Sequence, residues 1–213
     1  MSNLFHGILV WLYNTLPGHD LGLAIIVFTL AIKLILSPLS VKMFKSQKAM
    51  SAIQPKIKEL QEKHKGDKTA FAQAQMGLFK EHNVNPLGGC LPVLIQLPII
   101  WVLYRVFINI LQDASLNPVA FGVINLAHPN HALAIATGIA QGVQSWISLK
   151  IQKQQSAGGA DNPALKMSQN MMYFFPVMIV FISWSLPSGL VLYWLVSTLW
   201  SVLEQIYIRR RHA

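Results

Sequence analysis

Lys33 is the residue of this chain least at home among its neighbours. It interrupts LGLAIIVFTLAIKLILSPLS (Leu21 to Ser40), an otherwise apolar run of the about 20 residues that a bilayer-spanning helix needs. A cation at that depth costs several kcal/mol unless the helix turns it toward water, a partner or a protein interior. Lys33 therefore implies a wet or polar space inside the membrane. Thr29 and Ser37 stand four residues to either side of it, on the same helix face. An ammonium flanked by hydroxyls attracts and hydrogen-bonds polar or acidic groups.

Further polar stripes lie in other apolar segments. One holds Thr137, Gln141, Gln144, Ser145 and Ser148; another holds Tyr193, Ser197, Ser201, Glu204 and Gln205; Gln96 and Tyr104 are added by a further segment without forming a stripe. A single such stripe reads as ordinary, because Ser and Thr in membrane helices bond back to their own carbonyls and help helices pack. Three stripes, one with a lysine, point to a shared polar cavity. Glu204 is the only acid in these segments, and it is expected too near the cytoplasmic end to pair with Lys33. Arg105 lies toward the outer end of its segment, where its side chain can snorkel to the interface.

Bond-breaking chemistry finds no support. There is no GxSxG, HExxH, P-loop or pair of intramembrane aspartates. His128 and His131 flank a proline without further ligands and read as loop residues, so no metal site is expected. Cys90, the single cysteine, sits in Gly-Gly-Cys-Leu-Pro and reads as a small packing residue. An enzyme is not expected, and neither is a cofactor.

The elements that position these residues follow from composition. Of 213 residues 53% are hydrophobic and only 12% charged, about half the charge of a soluble domain. The expected fold is an all-α polytopic membrane protein: a five-span helical core with a polar groove open to the cytoplasm, plus a cytoplasmic helical hairpin. The expected divisions are 1–20, an interfacial amphipathic helix; 21–41, the first span; 42–86, the hairpin; 87–111, the second span; and 112–131, an outer loop. Then come 132–149, the third span; 150–166, a flexible cytoplasmic loop; 167–208, the fourth and fifth spans; and 209–213, a short basic tail. The turn Pro187-Ser188-Gly189 makes the last two spans antiparallel neighbours. Pro92, Pro98 and Pro176 are expected to interrupt helical bonding, and Gly138 with Gly142 forms a GxxxG pair suited to close helix contact.

Fifteen of the 17 Lys and Arg fall in the hairpin, the 150–166 loop and the tail; the other two lie inside spans. The positive-inside bias then puts these segments in the cytoplasm and the N-terminus outside. In the terminal helix, Leu4, Ile8, Leu12 and Phe5, Leu9, Leu16 lie roughly on one side. In the hairpin, Met50, Ile53, Ile57 and Leu60 make a narrow apolar stripe, Pro55 opens a helix after a break, residues 64–68 turn, and Phe71, Ala74 and Leu78 continue the stripe. The hairpin lysines, among them Lys56, Lys58, Lys63 and Lys65, form either a solvated surface or a docking face for anionic lipid, ribosomal RNA or a translocon.

NPLGGCLPVLIQLPIIWVLYRVF (Asn85 to Phe107) resembles the signature of the YidC/Oxa/Alb membrane insertases. So do LILSPLSVK (Leu34 to Lys42), QPKIKELQEK (Gln54 to Lys63) and FISWSLPSGLVLYWLVSTLW (Phe181 to Trp200), all in family order and spacing. The resemblance implies a bacterial inner-membrane protein that inserts membrane proteins, and helps fold them, without nucleotide. It implies a groove open to cytoplasm and lipid and closed to the outside, with spans two and four as an apolar slide. Lys33 falls where the family usually has arginine and so lacks the planar five-donor fork. Thr29 matches a substrate-contacting position, and Tyr193 and Trp194 match tandem aromatics, the second usually tyrosine. Implied partners are nascent membrane proteins and the lipid bilayer, with the Sec translocon, the signal recognition particle receptor and the ribosome as candidates. The expected form lacks a large periplasmic domain, a further N-terminal span and a lipoprotein cysteine, and its short tail makes a ribosome-binding extension doubtful. A competing reading is a small channel or transporter with Lys33 as an anion site, against which five spans without internal repeats argue.

Overall fold

The structure, a computed structural model, describes residues 2–82, 84, 91–112, 116–155 and 163–212. Cys90 and the centre of the 150–166 loop lie outside these residues. Eight helices and one two-stranded ladder make up the described elements, in the order α1 (Ser2–Thr15), α2 (Leu21–Ala52), α3 (Gln54–Lys63), α4 (Lys68–Glu81), α5 (Leu91–Gln112), β1 (Val119–Ala120), β2 (Ile124–Asn125), α6 (His131–Gln155), α7 (Pro163–Ser183) and α8 (Ser188–His212).

Local chemistry sets the boundaries. Pro17 and Gly18 stop α1, and Gly18 takes φ +84°. Asp20 then opens α2, its Oδ1 accepting the Leu23 amide at 3.0 Å, as an N-cap carboxylate does. α2 continues through Pro38 to Ala52, so the expected first span and the stem of the hairpin are one helix. Pro55 stands in the first turn of α3, where its missing N–H has no helical partner to lose. Asp67 caps α4 by accepting the Thr69 and Ala70 amides. Pro92 falls in the first turn of α5, so only Pro98 lies inside that helix; the expected break at Pro92 is replaced by a helix start. α8 continues to His212, so the basic tail begins as helix.

The expectation of an all-α chain needs one small correction. Val119 pairs with Asn125 and Ala120 with Ile124 in an antiparallel ladder across the outer loop. Its turn uses positive φ at Phe121 (54°) and Gly122 (68°), a conformation that glycine adopts freely and phenylalanine does not.

α6 packs extensively on both α7 and α8, α8 packs on α2, and α1 lies across α2 and α5, whereas α7 and α8 touch only marginally. The expectation that the tight turn makes α7 and α8 antiparallel neighbours is corrected in one respect: the turn joins them, but they do not pack on one another. Residues 126–128 occupy the start of α8 instead: the Ser188 amide and hydroxyl both donate to the His128 carbonyl, and the Gly189 amide donates to Leu126 O at 3.1 Å. His131 stacks on Trp184 at 4.1 Å. The turn is thus held to the outer loop, and α6 fills the space between the two helices. Gly138 makes the α6–α7 contact: a Cβ there would lie 2.1 Å from Val180 Cγ2, while Gly142 has nothing within 4 Å. Only the first glycine of the GxxxG pair serves close packing.

Two apolar clusters form. The larger joins Leu9 and Tyr13 of α1, Leu21 to Phe28 of α2, Val102 to Phe107 of α5, and Leu190 to Tyr193 of α8, with Leu116, Ala120, Leu126 and Leu133. All of these lie at the end of the bundle that carries the outer loop. α1 therefore packs as a lid element, with Ile8 and Leu12 of one expected apolar row and Phe5, Leu9 and Leu16 of the other all against this cluster, and only Leu4 exposed. The smaller cluster, Ile53, Ile57, Leu78 and Val84 with Met50, Leu60, Phe71 and Phe79, holds the hairpin together by itself, as the apolar stripe predicted.

By length and apolar composition, two helices among the described residues are able to cross a membrane, over Leu21–Met50 and Ser188–Ile208; Gln96–Asn109 and Asn170–Ser183 are shorter apolar helices.

Candidate functional site

The polar rows of α2 and α8 meet. Lys33 Nζ donates to Ser201 Oγ at 3.2 Å. One turn further along, Ser37 Oγ donates to Glu204 Oε1 at 3.0 Å. Both rungs advance in the same chain direction, so α2 and α8 run parallel. The same offset sets Thr29 level with Ser197. Glu204 is not bonded to Lys33 among the described residues; it lies one turn along α8 from Ser201, the partner of Lys33. Serines separate the two charges. Glu204 lies one turn nearer the hairpin end than the partner of Lys33, the offset expected from the sequence.

Burial changes along this seam. Thr29 is fully buried, with its hydroxyl donated back to Ile25 O at 2.6 Å, and Ser197 and Tyr193 are buried at 5% and 2% exposure. Tyr193 Oη accepts from Gln96 Nε2 at 2.9 Å, which ties α5 to the same level. Beyond Thr29 no residue of α2 whose side chain is described is buried until the hairpin: Lys33 and Ser37 are partly exposed, and Leu34 and Ile35 are largely exposed. Ser201 and Glu204 are likewise partly exposed. The seam is packed shut at the outer-loop end and opens at the end from which the hairpin emerges.

Lys33 has three N–H donors and makes one hydrogen bond among the described residues, to Ser201. Among the described residues its other two donors have no hydrogen-bond acceptor.

Gln141 and Gln144 do not join this seam. Gln141 Nε2 donates to Gln144 Oε1 at 3.2 Å, Thr198 Oγ1 donates to Gln141 Oε1 at 3.5 Å, and Ser148 Oγ donates to Gln205 Oε1 at 3.4 Å. These bonds form a second polar seam, between α6 and another face of α8, roughly a quarter-turn round from the first. The expected single cavity fed by three stripes is therefore two seams, because Tyr193, Ser197, Ser201 and Glu204 fall on one face of α8 while Thr198 and Gln205 fall on the next. Trp194 lies between those faces and is partly exposed. Ser201 and Glu204, both read from the sequence as part of the α8 stripe, are the members of that stripe that bond to α2. The signal was the matching four-residue steps on α2 and α8.

The hairpin lysines are spread over its surface. Lys56 Nζ lies 3.0 Å from His82 Nε2, bridging the start of α3 to the end of α4. Lys63 and Lys65 are exposed, and Lys58 is partly covered. Arg105 is exposed and stacks over Trp101 at 4.3 Å. Among the described residues no group of three or more His, Cys, Asp or Glu comes together.

A helical bundle with two helices apolar and long enough to cross a membrane places the chain among helical membrane proteins, and it has relatives along almost its whole length. The family model for the 60Kd inner membrane protein matches residues 11–213, and the chain belongs to that family of inner membrane proteins. It is 38% identical over 215 residues to the membrane protein insertase YidC of Fusobacterium nucleatum, covering 99% of this chain and 98% of that protein. Proteins of the same name from Magnetococcus marinus and Francisella tularensis subsp. novicida are 37% and 39% identical over 91% and 100% of this chain, which spans only 33% and 37% of their length. The fold matches a crystal structure described as an active YidC insertase with the first transmembrane domain resolved, with TM-score 0.66 and 26% identity over 95% of this chain and 45% of that one. The family resemblance read from the motifs is thereby confirmed.

Proposed function

We propose that this chain is a bacterial inner-membrane insertase that moves segments of nascent membrane proteins into the bilayer through the α2–α8 seam, without nucleotide. The observation that carries the reading is the burial gradient: a packed outer half from Leu21 to Thr29, and a half-open inner half carrying Lys33, Ser37, Ser201 and Glu204.

The difficult step in insertion is passing a hydrophilic terminus or loop through about 30 Å of hydrocarbon. In this reading α2, α5, α6, α7 and α8 are the five spans, with α1 and the outer loop outside and the hairpin and C-terminus in the cytoplasm, as the basic bias favours. A polar tail enters beside the hairpin and reaches Lys33, whose free donors attract it. Gln96, Tyr193, Thr29 and Ser197 line the closed end. The apolar part of the substrate partitions into lipid along the exposed faces of α5 and α7, where Leu97, Trp101, Phe174, Val177 and Phe181 are open. Partitioning supplies the driving force, so no nucleotide is needed. Holding a segment at this boundary also gives it a chaperone role. The hairpin lysines form the docking face for whatever delivers the substrate, with the Sec translocon, the signal recognition particle receptor and the ribosome as candidates. The α6–α8 seam serves packing, because its side chains bond to one another.

Reconstitution tests the reading. Purified protein in liposomes, with no nucleotide, is expected to insert a single-span substrate well above protein-free liposomes, with ion flux at background. Insertion equal to the protein-free control refutes it. Ion flux above background favours the channel.

A further inference from the structure

The Lys33 seam contains its own carboxylate. Glu204 is the only acidic residue in the five expected spans. It sits one helical turn from Ser201, the hydrogen-bond partner of Lys33, and it accepts from Ser37 on the same face of α2 as Lys33. Both groups are partly exposed in the open half. A substrate's acidic tail entering that half meets an ammonium whose field is already partly satisfied by a neighbouring carboxylate, and it meets that carboxylate's repulsion as well.

We propose that Glu204 is a built-in competitor for Lys33, and that it sets how strongly the seam discriminates acidic from neutral tails. The proposal rests on the insertase reading and goes beyond it by assigning the specificity of the seam to a pair of opposed charges rather than to the lysine alone. Glu204 acts as a positioning and specificity-determining residue. By holding the Ser37 hydroxyl and balancing Lys33, it keeps the seam near neutral, so that neutral tails enter and acidic tails are not trapped.

The test uses the full chain in neutral phosphatidylcholine liposomes, with two single-span substrates that differ only in acidic or amide residues in the translocated tail. The readout is the acid-to-neutral insertion ratio at equal reconstituted protein. Glu204→Gln keeps an acceptor for Ser37 and removes the charge; it is expected to raise the ratio about two- to fivefold, the range of a part-exposed charge pair. Glu204→Asp keeps the charge and is expected to return the ratio toward the parent value. Lys33→Gln is expected to lower the ratio, and adding Glu204→Gln to it is expected to give a smaller rise than Glu204→Gln gives in the parent, the part due to direct repulsion alone. High salt should shrink every difference. An unchanged or lowered ratio in Glu204→Gln, with Lys33→Gln still lowering it, overturns the proposal and leaves the insertase reading intact. A ratio insensitive to Lys33→Gln removes the attractor and overturns the competitor with it. Insertion by the parent protein no better than protein-free liposomes overturns the insertase reading itself.

Discussion

The half-open seam makes a depth-resolved prediction. Single cysteines are placed in a Cys90→Ser background and treated with a membrane-impermeant maleimide in inverted vesicles. If hydrocarbon begins near Val41, a rise of about 1.5 Å per residue puts Ser37 roughly 6 Å deep, Lys33 and its level partner Ser201 roughly 12 Å, and Thr29 roughly 18 Å. Ser37 and Ser201 are partly exposed, whereas Thr29 is fully buried and Ile25 is 1% exposed. Maleimide needs a thiolate, which forms in water and not in an apolar interior. Cysteines at Ser37 and Ser201 are therefore expected to label readily. At Thr29 and Ile25 labelling must wait for local opening, and an opening that costs about 3 kcal/mol slows it about a hundredfold. Leu203 is the control: it is 63% exposed and close to Ser201 in depth, but on the face of α8 away from the seam, so it is expected to label as slowly as Thr29. Labelling at Ser201 no faster than at Leu203 would show the inner half to be dry. Labelling at Thr29 as fast as at Ser201 would show that the packed outer half is no seal. Either result refutes the reasoning.

Three further outcomes are expected. In intact cells a cysteine at Val123, 83% exposed at the tip of the β turn, labels from outside and one at Lys63 does not; reversed labelling overturns the orientation, and Val123 is a better reporter than the buried Ala120. Removing Met50 to Glu81 leaves the bundle folded in the membrane but lowers substrate delivery, because the hairpin has its own apolar cluster; full delivery by the deletion shows the hairpin to be dispensable. Gly138→Ala destabilises the α6–α7 contact by about 1–3 kcal/mol through overpacking, with Val180→Ala restoring it and Gly142→Ala neutral in thermal unfolding; equal effects at the two glycines refute the assignment.

Much of this was legible in the chain. Lys33 with Thr29 and Ser37 at four-residue steps marked a polar face on α2, and the same steps from Tyr193 to Ser201 marked its partner. Helical period and sign of charge survive into the structure because they depend on one helix at a time. What was not legible depended on two helices at once. About a quarter-turn on α8 separates Ser197 from Thr198, and a sequence without packing partners gives no reason to assign these residues to different seams. The α7–α8 turn pointed to direct neighbours, but Ser188 and Gly189 spend their amides on residues 126–128, some 60 positions away, and the helices splay. The β turn at Phe121 was hidden for a related reason: its backbone amide is held by Asp20 at the start of α2, a contact no local pattern announces.

The two seams also differ in what they contain. Between α6 and α8, Thr198 bonds to Gln141 and Ser148 to Gln205, while Gln141 bonds to Gln144 within α6, and all of these groups are neutral. Interhelical bonds of this kind in a membrane are worth roughly 1 kcal/mol each. Between α2 and α8 an ammonium makes one hydrogen bond among the described residues. In the proposed reading Lys33 lies within the membrane, where a charge is tolerated only beside water or a polar partner, so the inner half would admit water or a polar chain. A seam of this kind running the full depth of the membrane would leak ions. The packing of Leu9, Tyr13, Ile25, Phe28 and Tyr193 at the far end would confine the wet region to one side. In that reading a polar tail is drawn inward to Thr29 and no further without displacing packed side chains, and the remaining distance is crossed only when the apolar segment behind it gains enough by entering lipid.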